Sequence, residues 1–308
     1  MNRCPITYQL CEEKYSIEGL QHLSPDLRTL DDFPYTPAQQ LELLLEYSDR
    51  LSFSGVQPKM SIRLNVQKNG FEPVQREGTF ILKLPRTNYP QLPENEDLTM
   101  RLAGIAGIDV PFHGMVYATD GSLLYFVERF DRRKNNAKVF VEDVSQLAAL
   151  STREKYDFTM EKVAALLDAL SSSPQAEKQK LFRLTLFNFL VGNEDMHAKN
   201  FSLLRNGDLR TLSPAYDLVN STIALHNATE EIALTLRGKK SNLRRNDFVK
   251  YFGKERLDLP ESVISEVLER LHASLPLWHE LIGISFLSDE RKEKYLHLLK
   301  QRSTRLFA

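Results

Sequence analysis

The chain has 308 residues, with 40 Lys+Arg against 41 Asp+Glu and a formal net charge of −1. Its 42% hydrophobic and 26% charged shares exclude a disordered chain, a collagen and a coiled-coil rod, and the length suits one large domain or two lobes. Near-neutral charge removes the global argument for nucleic-acid binding, and no apolar run nears the roughly 20 residues that cross a bilayer, so neither direct DNA contact nor a membrane is expected.

Residues 1–36 read as polar and irregular, broken by Pro5, Pro25 and Pro34. The opening MNRCPITYQLCEEKY lacks the apolar core of a secretory signal. Its two cysteines, Cys4 and Cys11, have no Cys/His set around them for zinc and fit a reducing cytoplasm. Pro37 opens a helical run with Leu41, Leu44, Leu45 and Tyr47 on its apolar positions. The loop SFSGVQPK leads into MSIRLNV, which alternates as a strand, and Asn69-Gly70 marks a turn. FILKLP at 80–85 reads as a buried strand stopped by Pro85. Residues 94–107 read as a helix, and VPFHGMVY and SLLYFVERF as two strands about Asp120-Gly121.

After Arg132 the texture changes. Residues 141–150, 160–171 and 175–191 carry helical apolar spacing, the last of them nearly all apolar in its second half. GNEDMHAKN follows, then a hairpin in FSLLRNGDLRTL, and residues 260–304 are helical in pattern. The chain therefore reads as a two-lobed α+β architecture, with a hinge near 127–133.

Asp195 and Asn200 stand five positions apart, directly after a buried helix, and Asp217 follows the hairpin. Kinases use this arrangement: an Asp and an Asn in a catalytic loop, and a second Asp beyond a hairpin. Mg²⁺ prefers the hard oxygens that Asn and Asp supply, while the first Asp accepts the proton of an attacking hydroxyl. Taken alone, the same residues also suit plain turns. Lys83, among Ile81, Leu82 and Leu84, is costly in a buried strand unless paired; a phosphate, or Glu96 or Glu94 on the next helix, meets that need, as does a solvent-facing strand. In SFSGVQPK, Gly55 lets backbone N–H groups approach an anion, and Ser52, Ser54 and Lys59 add donors and charge; a Ser/Gly turn capping the preceding helix explains them equally. VERFDR at 127–132 falls where the lobes change.

The ordered set SFSGVQPK, FILKLP, YPQLPENE, VERFDR, NEDMHAKNF and SPAYDL, together with LRGKKSNLRRNDF at 236–248, resembles the HipA-like serine/threonine kinase toxins, from about Ser52 to at least Phe252. The resemblance implies a protein-kinase-like fold with a sheet-rich N-lobe over 1–129 and a mostly helical C-lobe over 130–308. It implies phosphoryl transfer from ATP with Mg²⁺. Asp195 is the implied base, and Asn200 and Asp217 the implied metal ligands. Ser54, Gly55, Val56, Gln57, Lys59 and Lys83 are implied for the phosphates, with Glu96 as the lysine partner. Glu128, Arg129 and Phe130 are implied at the adenine, with His197 and Tyr216 near the nucleotide. A cytoplasmic toxin follows, acting on the translation machinery through an aminoacyl-tRNA synthetase and restrained by a helix-turn-helix antitoxin.

Three departures accompany it. Family loops usually read NTDGHAKN, and here Glu194 and Met196 replace Thr and Gly; methionine lacks the backbone freedom of glycine. Ser54 stands where many relatives have Ala, giving the loop two serines, Ser52 and Ser54, as candidates for autophosphorylation. Full-length relatives carry roughly a hundred more residues before the loop, so the chain reads as the short, HipT-like form, whose missing N-terminal subdomain a small separate antitoxin can supply. Two rival readings are a metal-dependent phosphohydrolase built on Asp195, His197 and Asp217, and a pseudokinase scaffold. The basic run Arg237, Lys239, Lys240, Arg244 and Arg245 suits a solvated loop, or a surface facing tRNA or an acidic partner.

Overall fold

Strand-forming sequence between Lys59 and Glu128 builds one antiparallel sheet, and helix-forming sequence fills most of the chain beyond it. The computed structural model describes residues 1–47, 57–133, 137–151, 153–225 and 229–308. Its contacts divide into two units, Met1–Asp97 with Pro111–Ala137 and Ile284–Phe286, and Leu98–Val110 with Lys138–Gly283 and Leu287–Ala308.

In the first unit, β3 (Lys59–Asn65), β4 (Gly70–Pro73), β5 (Phe80–Lys83), β6 (His113–Tyr117) and β7 (Leu123–Glu128) lie in the order β4-β3-β5-β7-β6. All four ladders are antiparallel. Asn69 turns β3 into β4: it sits at φ 50° after a single 3-10 turn that the Asn65 side chain caps, a conformation asparagine tolerates well. Phe71, Phe80 and Phe126 meet over this sheet with ring centroids 5.2–5.8 Å apart, edge and tilted contacts that aromatic pairs favour. Helix α2 (Pro37–Tyr47) starts at the expected proline, and α3 (Leu92–Ile105) begins within this unit.

The first 36 residues are more ordered than their sequence suggests. β1 (Asn2–Arg3) pairs with β2 (Leu10–Cys11), and Ser16 caps α1 (Ile17–Leu23). Cys4, Ile6, Tyr15, Leu20, Leu27, Leu30 and Phe33 join the sheet's core. Each is a single apolar residue set in turn-rich sequence, so no helical or strand period announces it.

In the second unit, α5 (Met160–Leu170) precedes α6 (Pro174–Val191), which is buried around nearly its whole circumference from Leu181 onward. Pro174 starts α6 and Gly192 ends it at φ 73°, with its N–H on the Asn188 and Phe189 carbonyls. A Cβ on Gly192 would lie 2.4 Å from Leu298 and 2.8 Å from Thr222, so the position needs glycine for conformation and for space. Only part of 141–150 is helical. The segment opens instead as a strand, β8 (Phe140–Asp143), which pairs with β9 (Ser202–Asn206); one turn, α4 (Val144–Leu147), then follows from the Asp143/Gln146 capping box. β10 (Leu209–Leu212) completes the hairpin and the sheet β10-β9-β8. α7 (Ser221–Ala224), a π-helix over Asp247–Arg256, α8 (Glu261–Ile284) and α9 (Asp289–Phe307) finish the chain.

Candidate active site

The loop after α6 is wired by its own side chains. The Asn193 amide donates to Asn188 Oδ1 at 3.0 Å, and its Oδ1 accepts the Asp195 N–H at 3.1 Å. Asn200 Nδ2 donates to the Asp195 carbonyl at 3.0 Å, and the His197 N–H reaches the same carbonyl at 2.8 Å. These bonds hold Asp195 and Asn200 side by side on a loop that closes with a 3-10 turn over Ala198–Asn200.

Two residues that sequence reasoning passed over complete this cluster. The Tyr156 hydroxyl donates to Asp195 Oδ1 in a very short contact. The Lys155 ammonium lies 2.8 Å from His197 Nε2. With the ammonium as donor, Nε2 is the acceptor and the His197 ring proton sits on Nδ1. That Nδ1 is buried and has no hydrogen-bond partner among the described residues. Burial first, and then the Lys155 charge, lower the His197 pKa against the pull of Asp195, so the ring stays neutral. Burial lowers the Lys155 pKa as well, with Asp195 opposing. Both residues come from a 3-10 turn, Glu154–Tyr156, whose sequence has no period and lies about forty positions from its partners, so only its polarity marked it.

Asp217 sits at φ 55°, a left-handed conformation that a non-glycine residue keeps only where its surroundings impose it. Tyr216, beside it, donates its hydroxyl to the Lys199 carbonyl at 2.8 Å and therefore accepts from Ser202 Oγ at 2.6 Å. The neighbours of Asp217 and of Asn200 are thus tied together. The donor types suit a hard cation: with Nδ2 on the Asp195 carbonyl, Asn200 can offer a cation its Oδ1, and Asp217 carries a carboxylate. Among the described residues no group of three or more His, Cys, Asp or Glu could hold a metal ion, and His197 Nε2 is taken by Lys155.

In the first unit, Lys83 ends β5 with its side chain 7% exposed, and its ammonium meets Glu96 Oε1 at 2.5 Å. Glu96, one of the two carboxylates expected on the next helix, supplies this partner from α3. The Lys83 ammonium also lies 5.7 Å from the centre of the Tyr125 ring. Lys59 is its register partner on β3, and Gln57 Nε2 donates to the Leu84 carbonyl at 3.0 Å. Next to Glu96, Asp97 is fully buried and holds His113 Nδ1 at 2.9 Å, a pair that neither residue's sequence surroundings disclosed. Glu128 and Arg129 spend their N–H groups on the Phe112 and Thr79 carbonyls, and the Arg129 side chain forks onto Asp131 at 2.9 and 2.7 Å. Phe130 is half-buried. Ser52, Ser54, Gly55 and Val56 lie outside the described residues.

The unusual loop residues are built into the second unit. Met196 is 4% exposed, and its φ is not in the left-handed region, so the glycine of the family pattern is not needed for backbone conformation. Glu194 is buried; its N–H donates to Ser221 Oγ and its Oε1 accepts from Thr222 Oγ1, both at 2.6 Å. Burial raises the Glu194 pKa, opposed by the Thr222 bond and by Arg302. The basic run is partly spent internally: Arg237 and Lys239 pair with Asp247 at 3.3 and 3.1 Å, and Lys240 with Glu230 at 3.3 Å.

Known proteins resemble this chain over most of its length. The family model described as HipA-like C-terminal domain matches residues 51–278. A Haemophilus influenzae protein provisionally named a kinase is 29% identical over 240 residues, 71% of this chain and 68% of its own length. The serine/threonine-protein kinase toxin HipA of Shewanella oneidensis is 32% identical over 190 residues, 56% of this chain but only 43% of that protein. The structure of Shewanella oneidensis HipA, solved in complex with HipB and operator DNA, superposes with a TM-score of 0.68 at 25% identity, covering 87% of this chain and 70% of that one. The chain belongs to the HipA-like C-terminal domain family and has the kinase-like fold of that family.

Proposed function

We propose that the chain is a serine/threonine protein kinase that transfers the γ-phosphoryl group of ATP to a hydroxyl on a protein of the translation machinery, an aminoacyl-tRNA synthetase being the class that the family resemblance implies. The observation that carries this reading is the mutual fixing of Asp195 and Asn200 by one side-chain-to-backbone bond. It ties the Asn200 amide to the Asp195 backbone, so that one short loop carries both the residue read as base and the one read as metal ligand. Asp195 takes the proton of the substrate hydroxyl as that oxygen bonds to Pγ and the bond from Pγ to the β-phosphate oxygen breaks, releasing ADP. Asn200 and Asp217 would hold Mg²⁺, which offsets charge on the phosphate oxygens when bound. Lys83, paired with Glu96, is assigned to the phosphates, together with the loop residues Ser54 to Lys59. The orphan Nδ1–H of His197 supports a place for it beside an anionic oxygen. Glu128 to Phe130 and Tyr216 are assigned to the rest of the nucleotide.

Two finer points belong to the same reading. Ser52 or Ser54 accepts a phosphate from the enzyme itself, which puts negative charge where ATP phosphates bind and weakens nucleotide binding. A helix-turn-helix or small subdomain-like antitoxin restrains the protein.

The test is incubation of the purified protein with γ-³²P-labelled ATP, Mg²⁺ and a cell lysate. Wild type labels protein, and the variants D195N and D217N do not. Labelling retained by both variants would overturn the assignment. Release of free phosphate without protein labelling would favour the hydrolase, and nucleotide binding without either would favour the pseudokinase. Mass spectrometry of wild type and D195N reads the serine modification.

A further inference from the structure

A base that will take a proton from a substrate hydroxyl must first accept that hydroxyl's hydrogen bond. On Asp195 this bond is already made, by the Tyr156 phenol to Oδ1. A phenol and a Ser or Thr side chain present the same single O–H donor, so the Tyr156 oxygen marks where an acceptor oxygen sits. Resting on the kinase reading above, we propose that Tyr156 occupies the phosphoacceptor subsite of the resting enzyme, and that a Ser or Thr hydroxyl of the protein substrate binds by displacing it.

The anchoring of the Glu154–Tyr156 turn permits this exchange. The buried member is Lys155, whose ammonium is held by His197, while Tyr156 is half-buried. The Tyr156 hydroxyl makes its one hydrogen bond among the described residues to Asp195. Its ring rests edge-on against His197 at 5.0 Å and near the Lys155 ammonium at 4.8 Å, contacts without a covalent or buried polar tie. Tyr156 can therefore leave Asp195 while Lys155 keeps the turn in place. Burial, the Asp195 charge and the bond itself all raise the phenol's pKa, so the hydroxyl remains a donor throughout the neutral range.

The test compares wild type, Tyr156→Phe and Asp195→Asn as full chains. Removing the hydroxyl vacates a water-sized space beside Asp195 Oδ1. Y156F is then expected to hydrolyse ATP without protein acceptor about tenfold faster than wild type, the scale of one lost hydrogen bond to a charged group. It is also expected to label lysate protein at least as fast. A fall in both rates would overturn the proposal and make Tyr156 a residue that positions the base. The second readout needs no turnover: in phenol absorbance against pH, the late-titrating tyrosines, among them Tyr15, Tyr216 and Tyr295 as well as Tyr156, should be fewer by one in Y156F, and one of them should move part of the way toward the ordinary value of about 10 in D195N, where burial still raises it. A titration unchanged by D195N would overturn the contact itself. Wild type that neither hydrolyses ATP nor labels protein defeats the kinase reading and this inference with it; wild type that labels while Y156F slows defeats this inference alone.

Discussion

Asn200 donates its side-chain amide to the backbone carbonyl of Asp195 at 3.0 Å, so the proposed metal ligand is oriented by the residue proposed as the base. The bond needs an N–H. Asn200→Asp keeps an oxygen ligand but loses that donor and places a carboxylate against a carbonyl. Labelling by N200D should fall by at least about tenfold, the scale of a hydrogen bond lost in a fixed site. Raising Mg²⁺ should not restore it. Recovery at high Mg²⁺ would reduce the amide to a ligand of ordinary affinity.

Lys83 and Glu96 form a buried ion pair, their side chains 7% and 4% exposed. Breaking such a pair strands a charge, at about 3–5 kcal/mol, whereas replacing both partners by apolar groups can be close to neutral. Lys83→Met alone should lower urea-unfolding stability by that order, and K83M with Glu96→Leu should recover most of it. Neither variant should label protein if Lys83 serves the phosphates. Equal stability of the single and double variants would mean that the pair is not coupled.

What the sequence disclosed and what it hid follow from the range of the interactions. Pro37 opens α2, and Asn69 marks its turn, through local conformational preferences visible in a few residues. Lys83 stood out because a charge inside FILKLP asks for a partner, and the next helix offered Glu96. Asp195, Asn200 and Asp217 were legible as an ordered set. Tyr156, Lys155 and the His113–Asp97 pair were not, since each acts on a partner that only tertiary folding brings near. The N-terminal core residues were hidden for a related reason: irregular backbone buries them one at a time.

Met196 stands where glycine is usual, yet its side chain is 4% exposed. It fills space beside Met160, Phe201 and Leu234, which line a small cavity with it. Met196→Gly should cost about 2–5 kcal/mol of core packing, as for other large-to-small changes, and should loosen the loop between Asp195 and His197. Chemical denaturation measures the first effect and the labelling rate the second. A variant of unchanged stability would show that the side chain is not packed as described.

Asp247 gathers the basic run, accepting from the Arg244 N–H at 3.0 Å and pairing with Arg237 and Lys239. Burial alone would raise its pKa; those three partners outweigh it and bring the pKa below the ordinary value. A depressed carboxylate contributes stability that is present above its unfolded pKa, about 3.9, and is lost as pH falls through the lower folded value. Asp247→Asn should be less stable than wild type at neutral pH, and the gap should close in acid. A gap independent of pH would assign the loss to packing rather than charge.

Glu194 titrates in the opposite sense. Burial raises its pKa, although Thr222 donates to it at 2.6 Å and Arg302 lies near enough to favour its charge. A carboxylate whose folded pKa lies above the unfolded value, about 4.3, contributes most while protonated, and that contribution is lost as pH rises through the folded pKa. Gln keeps an oxygen for Thr222 and never ionises. Glu194→Gln should therefore match wild type in acid and become progressively more stable than it as pH rises above about 4.3, measured by urea unfolding at each pH. Because the Glu194 N–H is held by Ser221 Oγ, a bond the substitution spares, the backbone that carries Asp195 should stay in place and labelling should persist. If the stability difference shrinks as pH rises, Glu194 carries its charge without penalty, and Arg302 rather than burial governs it.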